Sequence, residues 1–235
     1  MPTGPVILNR FIRAVGGETA IRDIEAMHAR GQIIMPGESE AGSFAWWVAD
    51  GDRCRFEMTF PNLGTSQFGS DGTTGWEVLE IEGHTTTSTL SLEQVGSRRR
   101  QANWFELALT LPQRASTFKN IGPAEFDGHH VWEVKMVDVE DRIHHLFFDR
   151  TTHLLHGVRM GDVDAADITI RFKQWKPIGP LKLFRVVSIN HAGVRLQMSF
   201  DHISLEPLRP DVFAPSAKTS TSGPETTKKP AKPDA

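Results

Sequence analysis

Apolar side chains fall at every second residue through Arg53-Cys54-Arg55-Phe56-Glu57-Met58-Thr59-Phe60, with Arg53, Arg55 and Glu57 on the opposite side. An extended strand sends successive side chains to opposite faces, so this segment belongs to a sheet with one dry and one wet face. The same alternation closes the folded part of the chain. Val194, Leu196, Met198 and Phe200 lie against Arg195, Gln197, Ser199 and Asp201. This period of two, rather than 3.6, excludes an all-helical fold.

The pattern recurs in a series. Strands are predicted over 27–35, 42–49, 53–60, 65–70, 75–81 and 84–89, and after an interruption over 117–125, 129–137, 142–148, 154–160, 168–175, 181–190 and 194–205. Turn-forming pairs such as Asp71-Gly72, Glu82-Gly83, Asp127-Gly128 and Ala192-Gly193 separate them. Short strands joined by hairpin turns predict an antiparallel meander, rolled into a barrel or stacked as a sandwich.

Helices are expected at two places. Leu8, Phe11, Ile12 and Val15 repeat at helical spacing after Pro5 and before Gly16-Gly17, and a shorter piece follows over 18–24. The interruption carries Ser91-Leu92-Glu93-Gln94, a capping box, and Asn103-Trp104-Phe105-Glu106, a similar start. Trp104, Leu107, Ala108 and Leu111 form one predicted helical face that Pro112 ends. Such a face must cover something, and the open side of a curved sheet is the natural place. Arg98-Arg99-Arg100, between the two starts, reads as a solvated helix end. Residues 1–216 form one predicted domain. Residues 217–235, made of Ser, Thr, Pro and Lys with almost nothing apolar, form a disordered tail.

Composition narrows the function. A net charge of -3 and a pI near 6.4 argue against a nucleic-acid partner held by bulk electrostatics. No apolar run reaches the roughly 20 residues of a transmembrane segment. The lone Cys54 excludes an intramolecular disulfide, and on the apolar face its thiol should be inert. The first residues lack the basic start and apolar stretch of a secretory leader. The compartment therefore stays open: periplasm or cell envelope if a leader has been removed, cytoplasm otherwise.

Catalytic signatures are missing: there is no Gly-x-Ser-x-Gly, no His-Glu-x-x-His and no phosphate-binding loop. Asp138, Glu140 and Asp141 read as solvated turn residues, and His129-His130 as solvent-facing. If the hairpin pairs Asp149 with His153, His144 becomes a diagonal neighbour of His156. A metal-dependent enzyme built on that pair lacks a third ligand on the same face, so neither metal nor cofactor is expected.

Three stretches carry a family resemblance. They are Phe11-Ile12-Arg13-Ala14-Val15-Gly16-Gly17 with the strand ending Arg30-Gly31-Gln32-Ile33, the hairpin Phe147-Phe148-Asp149-Arg150-Thr151-Thr152-His153-Leu154-Leu155, and the close Phe200-Asp201-His202-Ile203 through Pro210-Asp211-Val212-Phe213-Ala214-Pro215. Over about residues 5–215 the chain resembles the LolA/LolB-like superfamily, and more closely its outer membrane lipoprotein-sorting protein-like relatives. The resemblance implies a mainly β (α+β) fold: an unclosed antiparallel half-barrel of about 11–13 strands with an N-terminal helix and a helical lid. It implies a cavity for acyl chains. The cavity arginine of characterised carriers is not carried over to Arg53 or Arg55, because Asp50-Gly51-Asp52 stands where the family's proline is usual.

Phe44, Trp46, Phe56, Met58, Trp104, Trp132, Met136, Met198 and Phe200 are the candidate ligand-binding residues, although such a stripe also serves as ordinary core. The expected function is non-enzymatic binding of a lipid, an acyl chain or another hydrophobic small molecule. The alternative is a filled-core interaction or scaffolding module whose partner is a protein.

Overall fold

The computed structural model describes residues 1–35, 40–110, 115–139, 141–161 and 168–215. The predicted tail 217–235, Leu111, Pro112 and Glu140 lie outside the described residues. Helices α1 (Gly4–Val15) and α2 (Glu18–Arg22) lead into strands β1 (Ala26–Ile34), β2 (Gly42–Ala49), β3 (Arg53–Phe60), β4 (Gly64–Asp71), β5 (Gly75–Ile81) and β6 (His84–Leu90). Helices α3 (Leu92–Ala102) and α4 (Trp104–Leu109) follow. Then come β7 (Ala115–Phe126), β8 (His129–Asp138), β9 (Ile143–Asp149), β10 (Leu155–Met160), β11 (Ile168–Lys173), β12 (Lys176–Ile178), β13 (Leu181–Leu183), β14 (Val186–His191), β15 (Val194–Ser204) and a 3-10 turn (Pro210–Phe213).

Thirteen strands make one antiparallel sheet in the order β6-β5-β4-β3-β2-β1-β15-β14-β11-β10-β9-β8-β7. Each half is a meander, and β15 joins them by pairing with β1 on one side and β14 on the other. Strands β6 and β7 are the two free edges, so the sheet is an open half-barrel. Alternation sets its faces: Phe44 and Trp46 from β2, Cys54 and Phe56 from β3, and Met198 and Phe200 from β15 all enter one hydrophobic core. Helix α1 closes one end of that core through Ile7, Leu8, Phe11 and Val15. The Phe11 ring lies 5.5 Å from Phe148 and 6.2 Å from Trp175.

Two departures from the predicted strands have local causes. The stretch 181–190 is broken, because Phe184 turns into the core while Arg185 switches strands. The Arg185 amide donates to the Lys173 carbonyl at 3.1 Å, and its own carbonyl accepts from the Phe200 amide at 2.8 Å. Strand β11 ends early because Gln174 adopts a φ of 56°, which frees Lys176–Ile178 to form a separate two-stranded hairpin with β13. Alternation is silent about such a break, since Leu181, Leu183 and Val187 are all apolar.

The segment 208–215 crosses the outer face. Phe213 is fully buried beside Ala26 and Ala49, with Trp47, Leu208 and Val212 packed around it. The Trp76 indole donates to the Phe213 carbonyl at 3.0 Å, and the Arg53 guanidinium stands 5.6 Å from the Phe213 ring.

At Arg30/Gly31 the β1–β15 register shifts, and Gly31 faces Phe200. A side chain at Gly31 would collide with the Ser199 carbonyl. Gly31→Ala is therefore expected to lower stability by about 1–3 kcal/mol through forced backbone movement. Gly96→Ala, inside α3 with only the Arg100 guanidinium 3.5 Å away, should instead gain up to about 1 kcal/mol from helix propensity. Urea unfolding of the two variants checks this opposite pair of signs.

Candidate functional site

The dry face of the half-barrel is lined by aromatic rings and covered by α3 and α4. Phe44, Trp46, Phe56, Met136, Met198 and Phe200 are buried within it, whereas Met58, Trp104 and Trp132 are partly buried and pack against it. Trp46 is the hub: its ring centroid lies 5.4 Å from Phe44, 5.7 Å from Phe56 and 5.2 Å from Phe200. Trp132 stands at the margin, with the Arg150 guanidinium 4.8 Å from its ring.

Phe105 plugs this wall. Its ring stacks on Phe184 at 4.4 Å and meets Phe200 at 4.8 Å and Trp46 at 5.9 Å. The sequence pattern 104/107/108/111 pointed to Trp104 as the inward residue, but α4 buries Phe105, Leu107, Ala108 and Leu109. The spacing 105, 108, 109 fits a helical face as well, and rotating the helix by one residue was the signal available for Phe105. Phe184 had no such signal, because it lies in the break between β13 and β14.

Polar contacts fix the lid from outside. Ser91 and Gln94 form the predicted capping box at α3, and the Asn103 side chain accepts from the Glu106 amide at 3.1 Å to start α4. Arg100 is exposed at the end of α3 as expected, but Arg98 and Arg99 are paired. Arg98 pairs with Glu77 of β5, and Arg99 reaches Glu106 at 3.1 Å and Asp52 of the β2–β3 turn at 3.8 Å. Among the described residues of α3, Val95 is buried in the core and Ala102 packs against it, and the ion pairs of Arg98 and Arg99 tie the helix to β5, α4 and the β2–β3 turn.

A cavity of about 160 Å³ opens beside the plug. Its apolar wall includes Ile21, Ile24, Met27, Val48, Phe105 and Leu109, and Arg99, Asn103 and Glu106 stand at its polar side. The nine residues picked from the sequence are absent from its lining. Phe44, Trp46, Phe56, Met136, Met198 and Phe200 are buried in the core instead, with Met58, Trp104 and Trp132 packed at its edge.

Arg55 and Cys54 lie on the faces read from the sequence, whereas Asp138 and the histidine hairpin depart from their reading. Arg55 points outward, where it bonds Glu57 at 2.9 Å and lies 5.1 Å from the Trp47 ring. Asp138 is buried rather than solvated: it accepts from the Arg142 amide at 2.9 Å, and His144 Nε2 lies 3.1 Å away. His144 sits opposite Met160, not beside His156, because Leu155 rather than Leu154 faces Phe148, and the bulge between Leu155 and Gly157 then shifts the register once more. The pairing that would have made His144 and His156 neighbours therefore does not occur. Cys54 is fully buried, and desolvation pushes its thiol up to about 11. No helix among the described residues is long and apolar enough to cross a membrane.

No protein-family model matches the sequence, and no curated protein does. Solved structures do match. A LolA superfamily protein from Nitrosomonas europaea is 11% identical with a TM-score of 0.57, covering 92% of this chain and 99% of its own. A DUF1329 family protein from Desulfovibrio piger is 11% identical with a TM-score of 0.58, at 92% and 99% coverage. A domain named for outer membrane lipoprotein sorting, from Vibrio parahaemolyticus, is 13% identical with a TM-score of 0.54, at 89% and 95% coverage. The chain therefore has a LolA-like fold.

Two outcomes test this packing. Phe105→Ala should cost about 3–5 kcal/mol in urea unfolding, the range for removing a buried ring. Cys54, held as the neutral thiol above its ordinary range, should be inert to Ellman's reagent at pH 8 in the folded protein and react once it is unfolded in urea.

Proposed function

We propose that this protein is a non-enzymatic carrier that shelters a lipid, an acyl chain or another hydrophobic ligand under α4. The observation that carries the reading is a short apolar plug, Phe105 with Leu107 and Leu109, set against an aromatic wall and restrained by the ion pairs of α3. Ligand pockets for molecules of drug size have volumes of about 300–1,000 Å³, so the present cavity admits such a ligand only when α4 moves.

Magnitudes make that exchange feasible. Lifting three large side chains off the wall forfeits roughly 5–9 kcal/mol, at about 1.5–3 kcal/mol each. A long acyl chain replacing them returns about 0.8 kcal/mol per methylene, on the order of 10 kcal/mol in all. Plug and cargo are near balance, which suits a carrier that must also release. The LolA-like fold and the lipoprotein-sorting name of one structural neighbour support this reading, and with it a place in the cell envelope.

The modest cavity also favours a second reading, a filled-core module that binds a protein through its surface. Lipid extraction with native mass spectrometry, and titration with a fluorescent fatty acid, distinguish the two. The carrier reading expects saturable uptake that tightens in Phe105→Ala, where the plug is shortened. The absence of copurified lipid, together with no uptake by either wild type or variant, leaves the filled-core reading.

A further inference from the structure

On the outer face, away from the aromatic interior, three side chains converge. His129 opens β8, Asp149 closes β9, and His156 is the bulged residue in β10. One ligand atom from each lies within 4.8 Å of the others. His156 Nε2 stands 3.3 Å from Asp149 Oδ2, and the His129 and His156 rings are stacked with centroids 3.9 Å apart. We propose that His129, Asp149 and His156 form a binding site for a divalent transition-metal ion of the zinc type. This site is independent of the cavity under α4.

The donor chemistry fits. Two imidazoles and a carboxylate suit zinc, cobalt and nickel better than magnesium or calcium, which prefer oxygen alone. Ligand atoms about 2.0–2.1 Å from a tetrahedral ion stand about 3.3 Å apart, the spacing that His156 and Asp149 already have. His129 is exposed at the start of its strand, so its ring can swing the remaining distance. A fourth position stays open to water.

The surroundings hold the ligands in place. Asp149 spends Oδ1 on the Thr151 amide at 2.9 Å, the Thr152 amide at 2.6 Å and the Thr152 hydroxyl at 3.0 Å, leaving Oδ2 for the histidine side. Such outer hydrogen bonds orient a metal-ligating carboxylate. Val131 pairs with Asp149, and Phe126 with His129. Both belong to a small outer cluster in which Phe126 stacks on Phe147 at 4.1 Å, giving the site a dry flank. Lys173 and Arg171 are matched with Asp127, at 2.7 Å and 3.3 Å.

Sequence reasoning rejected a metal because His144 and His156 had no third partner. The structure supplies the missing partners: Asp149 lies 3.3 Å from His156, and His129 completes the set.

The test uses the full chain without an affinity tag, stripped with EDTA. Zinc is titrated by calorimetry, and cobalt by its visible absorption, which is intense only in tetrahedral sites. The expectation is about one ion per chain, with affinity lowered at least about tenfold in His129→Ala and in Asp149→Asn, and unchanged in His84→Ala on the far edge strand. His129 is exposed, so His129→Ala should unfold as the wild type does and its result bears on the site alone. Failure of folded wild type to take up zinc, or uptake that survives His129→Ala combined with His156→Ala, overturns the site.

Discussion

The pairing of β15 with β1 is the constraint on which the rest of the structure depends. Each meander alone is a curved sheet with an unpaired edge and a half-covered apolar face. By lying between β1 and β14, β15 supplies both edges at once and brings Met198 and Phe200 into contact with Phe44 and Trp46. The glycine at the register shift is part of the same device, since the two backbones approach too closely there for any side chain. Everything stacked on the concave wall, from α1 at one end to the Phe105 plug, presupposes that seam.

The wall it creates is dense rather than hollow. Trp46, Phe56, Phe105, Phe184 and Phe200 touch ring to ring, mostly tilted or edge to face, the arrangements that aromatic quadrupoles favour. Interior space is therefore small with the helices seated, and in the proposed carrier the six residues of α4 are the part that would have to move. The polar clamps are the other half of the balance. An apolar helix face would bind the wall strongly in water, whereas partly exposed ion pairs contribute modestly and are weakened by salt.

Much of this was legible in the chain. Strict alternation in Arg53–Phe60 and over residues 196–200 gave the strands and their faces, because burial on one side of a sheet leaves a period of two that no helix imitates, although Val194, read as inward, is exposed. Turn pairs marked the hairpins for the same local reason. What stayed hidden depended on contacts between distant residues. The break at Phe184-Arg185 follows from hydrogen bonds to Lys173 and Phe200, and the partners of Arg98 and Asp138 were fixed only once the sheet had brought Glu77 and His144 into place. The histidine register failed for a narrower reason: the turn seats Leu155, not Leu154, opposite Phe148, the bulge at His156 shifts the later pairs again, and nothing in His153-Leu154-Leu155-His156 announces either.

The central seat of the last strand has a consequence for how the chain is born. A ribosome releases β1 through β6 long before β15, so the exposed edge of β1 must wait, unpaired, while more than a hundred further residues are made. During that interval the oily side of the early strands has no complete core to join, and its closest substitute is the matching edge of another nascent copy. A chaperone, or a translocation route that delivers the polypeptide unfolded, would protect the chain through this delay.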